Sequence, residues 1–387
     1  MRITLLLLGT LVLLMAGCAP KATKKHDLVF FPPAPNPPRV QFLMGIGDSR
    51  DVEGTDTEYS LFAMNAAQGE DVKFFLKPYG IASYGEKIYV SDTLAGRVAV
   101  INVKQKSFTW LKGGFGPGKL KKPINMTTDK QGNLYVTDTI RKKIVMYDPD
   151  ENFVRVYGEA YDMKPVDVAV DDRHVYALDL SRSKILVFNK KSGDLIEGLG
   201  QDSENPKENL SLPTNMALND RGLFYVSNIT TGVIVQLDRD GHVIGTIGKM
   251  GDGFGQFGRP KGIATDNDGR VYAVDSAHQN VQLFDKNGRL LMFFGDPGLP
   301  VGSLNLPAGI VVSNENLETF QAMAAPDFEL EQVVMVVSQV GGHRVNIYGL
   351  GRKKNFDYEG FYKESQEMLK KADESRAQRK NENKKAN

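Results

Sequence analysis

The chain has 387 residues, 41% of them hydrophobic and 25% charged, a balance that excludes disorder along its whole length. Lys+Arg 48 against Asp+Glu 47 gives a formal net charge of +1, so no global basic field makes nucleic acid a default partner. The single cysteine, Cys18, excludes an internal disulfide, a paired-cysteine zinc site and haem attachment through two cysteines.

From the N-terminus, Met1-Arg2 gives a short positive start, and Ile3 to Met15 is apolar apart from Gly9 and two threonines. Small residues then lead into Cys18, the layout of a secretory leader too short to stay as a membrane span. The run Leu14-Met15-Ala16-Gly17-Cys18 resembles the bacterial lipobox, with Met15 where Leu is commonest. That resemblance implies removal of residues 1–17 and lipidation of Cys18, hence membrane attachment in the bacterial cell envelope. Ala19 in place of Asp points, by the enterobacterial sorting rule, to the outer membrane. Residues 18–39, with Pro32, Pro33, Pro35, Pro37 and Pro38, read as an extended polyproline spacer after the anchor.

Residues 40–351 are a repeat. Six copies open at Pro78, Pro123, Pro165, Pro213, Pro260 and Pro307, each followed by a short apolar strand. A second strand ends at Asp92, Asp138, Asp179, Asn228, Asp275 and Ser338, and a third begins at Val98, Ile144, Ile185, Ile234, Val281 and Val345. A fourth precedes a glycine in the first five copies, while the sixth copy lacks one. Val40 to Gly47 has the pattern of the missing strand. Four strands per copy is the arithmetic of a propeller blade, and the 39 Gly and 18 Pro suit its turns. The fold class is therefore all-β, a six-bladed β-propeller closed by its N-terminal strand, which leaves no open sheet edge. Two insertions break the rhythm, at 48–73 with a helix expected around 58–67, and an acidic one at 313–332. Loops of this length are more often functional or mobile than packed. Residues 352–387 form a charged tail, partly helical or disordered, that reads equally as a partner-binding arm or a solubilising extension.

Pro260-x-Gly-Ile-Ala, Val271-Tyr-Ala-Val-Asp275 and Asn280-x-Gln-Leu-Phe-Asp285 resemble the NHL repeat, and the likeness runs over about residues 40 to 350. Leader, spacer and ring together resemble NHL-type lipoproteins of the bacterial envelope. This implies a rigid interaction scaffold with envelope proteins as partners, the membrane reached through the N-terminal lipid, no nucleic acid and a monomeric ring.

The recurring Asp92, Asp138, Asp179 and Asp275 fit a repeated structural task, bonding the following turn, better than catalysis. Among five histidines, only His278 and His343 occupy equivalent loops; resemblance to NHL-type amidating lyases implies zinc there, but two histidines fall short of three protein ligands. Asn125, Asp167 and Asn215 stand where the other copies have Gly80, Gly262 and Gly309, at the start of three successive innermost strands. Their hard oxygens suit calcium, which lactonase-type propellers hold in the channel with a similar set; the Glu completing that set has no counterpart here. No cofactor is expected on the scaffold reading, and calcium on the alternative, a metal-dependent hydrolase or lyase at the channel mouth. Lys112, Lys119, Lys121, Lys122, Arg141, Lys142 and Lys143 gather in connections predicted to share one face, a candidate docking patch for an anionic protein, glycan or lipid headgroup.

Overall fold

The computed structural model describes residues 28–54, 72–200, 209–299, 301–368, 370, 371 and 374. The leader, Cys18 and the helix expected around 58–67 lie outside the described residues.

Six antiparallel sheets stand around an axis. Their innermost strands are Pro78–Tyr84, Pro123–Thr128, Pro165–Val170, Pro213–Leu218, Pro260–Thr265 and Pro307–Ser313, one for each of blades one to six. Each packs against the next, and the sixth packs against the first. Second strands such as Val271–Asp275 are apolar on both faces because every blade is sandwiched between two others. Each of the six apolar clusters accordingly joins two neighbouring blades, for example Leu178 and Val187 of blade three with Phe224 and Val235 of blade four.

Blade six closes the ring. Val40–Ile46 pairs antiparallel with Val345–Lys353, which pairs with Phe328–Ser338 and so to the innermost strand. The proline segment is more than a spacer: Phe30 and Phe31 pair with Gln41 and Val40 as a fifth, outermost strand. Phe31 is buried against Phe294 and Tyr348. Proline is tolerated after an edge strand because no ladder bond is lost there, so the packed unit begins at Phe30, ten residues before the boundary read from the proline content. The tail meets this segment. Residues 358–368 are helical, and the Tyr358 hydroxyl donates to the Pro38 carbonyl at 2.6 Å while accepting the Lys353 N–H at 2.8 Å.

The acidic insertion is also packed. Its short helix, Leu317–Gln321, buries Phe320, and the Glu315 carboxylate accepts the Gly85 N–H of blade one at 2.6 Å. It therefore straps blade six to blade one at the seam, a role its charge content gave no hint of.

The chain meets each innermost strand at the same face, because loops from strand two to three and connections from strand four to the next blade open there. The repeated aspartates organise this face. Asp275 accepts the N–H groups of Gly258 and Arg259 at 2.7 and 2.9 Å and that of Ala277 at 2.9 Å. Asp92 does the same for Leu76, Lys77 and Ala95, and Asp138 for Lys121, Lys122 and Arg141. All three carboxylates are sealed from solvent.

Candidate binding face at the channel mouth

The clamp places a side chain. The residue before the blade proline stands on the rim of the channel, and in blades one, two, three and five its N–H is held by the strand-two aspartate. These residues are Lys77, Lys122, Lys164, Leu212, Arg259 and Leu306. The four cations are exposed, and none makes an ion pair among the described residues. Large apolar side chains are exposed on the same face: Leu94, Ile140 and Val340 in the loops between strands two and three, and Phe115 and Phe254 in the interblade connections. Phe254 is 82% exposed and stacks on Phe293 with ring centroids 5.5 Å apart. The sequence reading did not single out these apolar residues, nor Lys77, Lys164 and Arg259. The signal was present: Leu94, Ile140 and Val340 all fall two residues after the end of strand two.

The opposite face carries carboxylates committed to its own turns. Asp129 accepts the Gln131 and Asn133 N–H groups and the Tyr135 hydroxyl, and pairs with Lys190 at 3.0 Å. Asp266 likewise holds Arg270 and the Tyr272 hydroxyl.

At the mouth, Asn125, Asp167 and Asn215 line one channel, as their spacing predicted, and all are buried. They fasten blades. Asn125 Nδ2 donates to the Val166 carbonyl of blade three at 2.8 Å, and Asp167 Oδ2 accepts the Met216 N–H of blade four at 2.8 Å. Asp167 Oδ1 accepts its neighbour Val168 N–H. Burial pushes the Asp167 carboxyl up to about 8, against the pull of those two N–H donors. Only Asn215 Oδ1 is buried without a partner among the three. The glycines in the other blades are required by crowding: a Cβ on Gly309 would lie 2.5 Å from the Tyr79 carbonyl oxygen.

Across this mouth, Lys261 Nζ of blade five lies 4.8 Å from the centroid of the Tyr79 ring of blade one. Burial lowers the Lys261 ammonium to about 8, helped by repulsion from Arg259 and Lys77. Burial also raises the Tyr79 phenol well above its ordinary range, reinforced by Asp167 and opposed by Arg259. Calcium takes six to eight oxygens. A set in which Asn125 and Asp167 are already bonded across blades, beside three cations, offers too few free oxygens for that ion.

The histidines are not brought into one metal centre. His278 is held at both nitrogens, by Asp275 at 2.7 Å and Asp252 at 3.2 Å. Burial opposes its charge, but those two carboxylates raise its pKa overall. His343 stacks on Phe42. Among the described residues, the one close trio of ligating side chains is Asp238, Asp240 and His242, in an exposed turn of the opposite face. In the basic patch, Lys142 pairs with Asp162, Lys143 with Glu159, and Arg141 bonds the Lys119 carbonyl. Lys112, Lys119, Lys121 and Lys122 remain exposed and without ion pairs among the described residues.

No family model matches the chain. Human NHL repeat-containing protein 3 is 27% identical over 149 residues, which is 35% of this chain and 42% of that protein. The mouse protein of the same name is 25% identical over 176 residues, 40% of this chain and 50% of that protein. The chain is a six-bladed β-propeller whose repeats are similar to those of NHL repeat-containing proteins. It spans half or less of these curated relatives. Among solved structures, the gluconolactonase XC5397 from Xanthomonas campestris superposes on 85% of this chain and 99% of its own, with a TM-score of 0.54 and 14% identity. An auxiliary nutrient binding protein from Bacteroides thetaiotaomicron covers 71% of this chain and 69% of its own, at a TM-score of 0.52 and 10% identity. Likeness at these identities extends to the fold.

Proposed function

We propose that this propeller is a noncatalytic docking module of the bacterial envelope, tethered at the outer membrane through lipid on Cys18, which presents its mouth face to an anionic protein partner. The observation that carries the reading is the division of the ring into two unlike faces. One holds exposed cations without ion pairs, interleaved with exposed apolar side chains, while on the other carboxylates such as Asp129 and Asp266 are spent on their own turns. Exposed apolar groups among unpaired charges are the composition of a recognition surface. The fold hosts both a gluconolactonase and a nutrient binding protein, so it does not choose between catalysis and binding. The donor set supports the binding reading: of the residues that would hold a catalytic calcium, Asn125 and Asp167 are bonded across blades, beside Lys261.

Reversing Lys77, Lys122, Lys164 and Arg259 to Glu together tests the reading. The variant is expected to fold, by circular dichroism, and to lose the partners that co-purify with the native chain from envelope extracts. Unchanged partners would overturn it. Cys18→Ser is expected to move the protein from the membrane to the soluble fraction.

A further inference from the structure

The residue after each blade proline is Tyr79, Ile124, Val166, Thr214, Lys261 or Ala308, so Lys261 is the single ionisable cation at that level of the ring. It is 6% exposed, yet its ammonium makes neither a hydrogen bond nor an ion pair among the described residues. An ammonium has three protons to donate and is costly to desolvate without an acceptor. The side chain reaches from blade five to the face of the Tyr79 ring of blade one. Arg259 and Lys77, both positive, repel its ammonium. On the neighbouring blade, Asn215 Oδ1 is sealed from solvent without a donor. The channel beside these groups holds a cavity of about 200 Å³ lined by Asn125, Asp167, Asn215 and Gly262.

We propose that this mouth is an oxyanion subsite for a phosphoryl group, held by Lys261 with Arg259 and Lys77 and seated against Tyr79; the assignment deepens the docking reading and rests on it for the origin of the phosphoryl group. Three cations match a dianion better than the single charge of a carboxylate. The ligand would supply the acceptors that Lys261 lacks within the protein, replacing slight solvent contact with a set of charge-assisted hydrogen bonds.

The test uses the full chain with inorganic phosphate, followed by calorimetry at constant ionic strength, and compares wild type with Lys261→Met, Arg259→Gln and Lys142→Gln. Saturable binding that weakens about tenfold or more in Lys261→Met, less in Arg259→Gln and not at all in Lys142→Gln supports the site. Equal phosphate binding by wild type and Lys261→Met, or no saturable binding by wild type, overturns it. Two further probes separate the sources, glycerol phosphate in solution and vesicles of phosphatidylglycerol compared with phosphatidylcholine. Loss on Lys261→Met confined to the soluble probe assigns a free phosphate ester, and loss in the vesicle arm assigns a lipid headgroup. Partner co-purification is scored on the same variant: if phosphate binding is unaffected while rim reversal still removes the partners, the subsite falls and the docking reading stands.

Discussion

A buried lysine without an acceptor should cost the fold stability, and Lys261→Met measures how much. A lowering of its ammonium from 10.5 to about 8 corresponds to about 3 kcal/mol at 1.36 kcal/mol per pH unit. Methionine keeps most of the volume and removes the charge, but it also forfeits the contact with the Tyr79 ring, which is worth on the order of 1–2 kcal/mol at a desolvated site. The expected result is a gain of about 2 kcal/mol at pH 6, read as a higher urea midpoint at unchanged slope. Above pH 10.5 the lysine is neutral in both folded and unfolded chains, so the gain should vanish. Phosphate should shrink the gain at pH 6, because the anion stabilises wild type alone. A variant less stable than wild type at pH 6, or equally stabilised at pH 6 and pH 11, would refute the assignment of the cost to a buried charge.

The pH dependence of wild type should carry two opposed contributions that meet near pH 8. Asp167 has a folded pKa raised to about 8, so its contribution is complete below the ordinary value of 3.8 and is lost as pH rises from there to 8. Lys261 has a depressed folded value, so its contribution is absent at pH 8 and grows as pH rises to 10.5; thermal scans that show no shallow minimum between pH 7 and 9 would contradict both. Asp275→Ala strands at least two clamped N–H groups at about 1–3 kcal/mol each, whereas Asp275→Asn should cost less, since Asn228 fills the same place in blade four with bonds to Ser211 and Asn209. Gly309→Ala should lose about 1–3 kcal/mol by pushing on the Tyr79 backbone, and should weaken phosphate binding as Tyr79 moves. Phe31→Ala should cost about 3–5 kcal/mol, a loss that a free linker residue would not show in denaturant titration.

The ring was legible because its determinants are local and repeated. Each blade proline and each strand-two carboxylate performs the same bond within its own blade, so one copy explains the next. The register of Asn125, Asp167 and Asn215 was equally plain, but their task was not, because the partners are the Val166 carbonyl and the Met216 N–H of the following blades. The basic patch was read as one charge cluster; Asp162 and Glu159, from the connection beyond it, neutralise Lys142 and Lys143. Lys261 escaped notice because a lysine after a proline looks solvated in one dimension, and only closure of the circle brings blade five against blade one. The strap at 313–332 hid for a similar reason, since Glu315 finds its bond on the first blade.

The first described strand and the strand that closes the ring share one blade. Any pull on the chain ahead of Leu28 arrives first at Phe30–Phe31, the outermost strand of blade six, whose register with Gln41 and Val40 is only two residues long. Load applied at that end opens the strand one rung at a time, and the next strand in line, Val40–Ile46, is the one that seals the circle. The hydroxyl of Tyr358 on the Pro38 carbonyl acts as a rivet between them. Tension on a tether would therefore be released in the outer strand before it reached the seam, and the geometry of the mouth would be kept while the molecule is under strain.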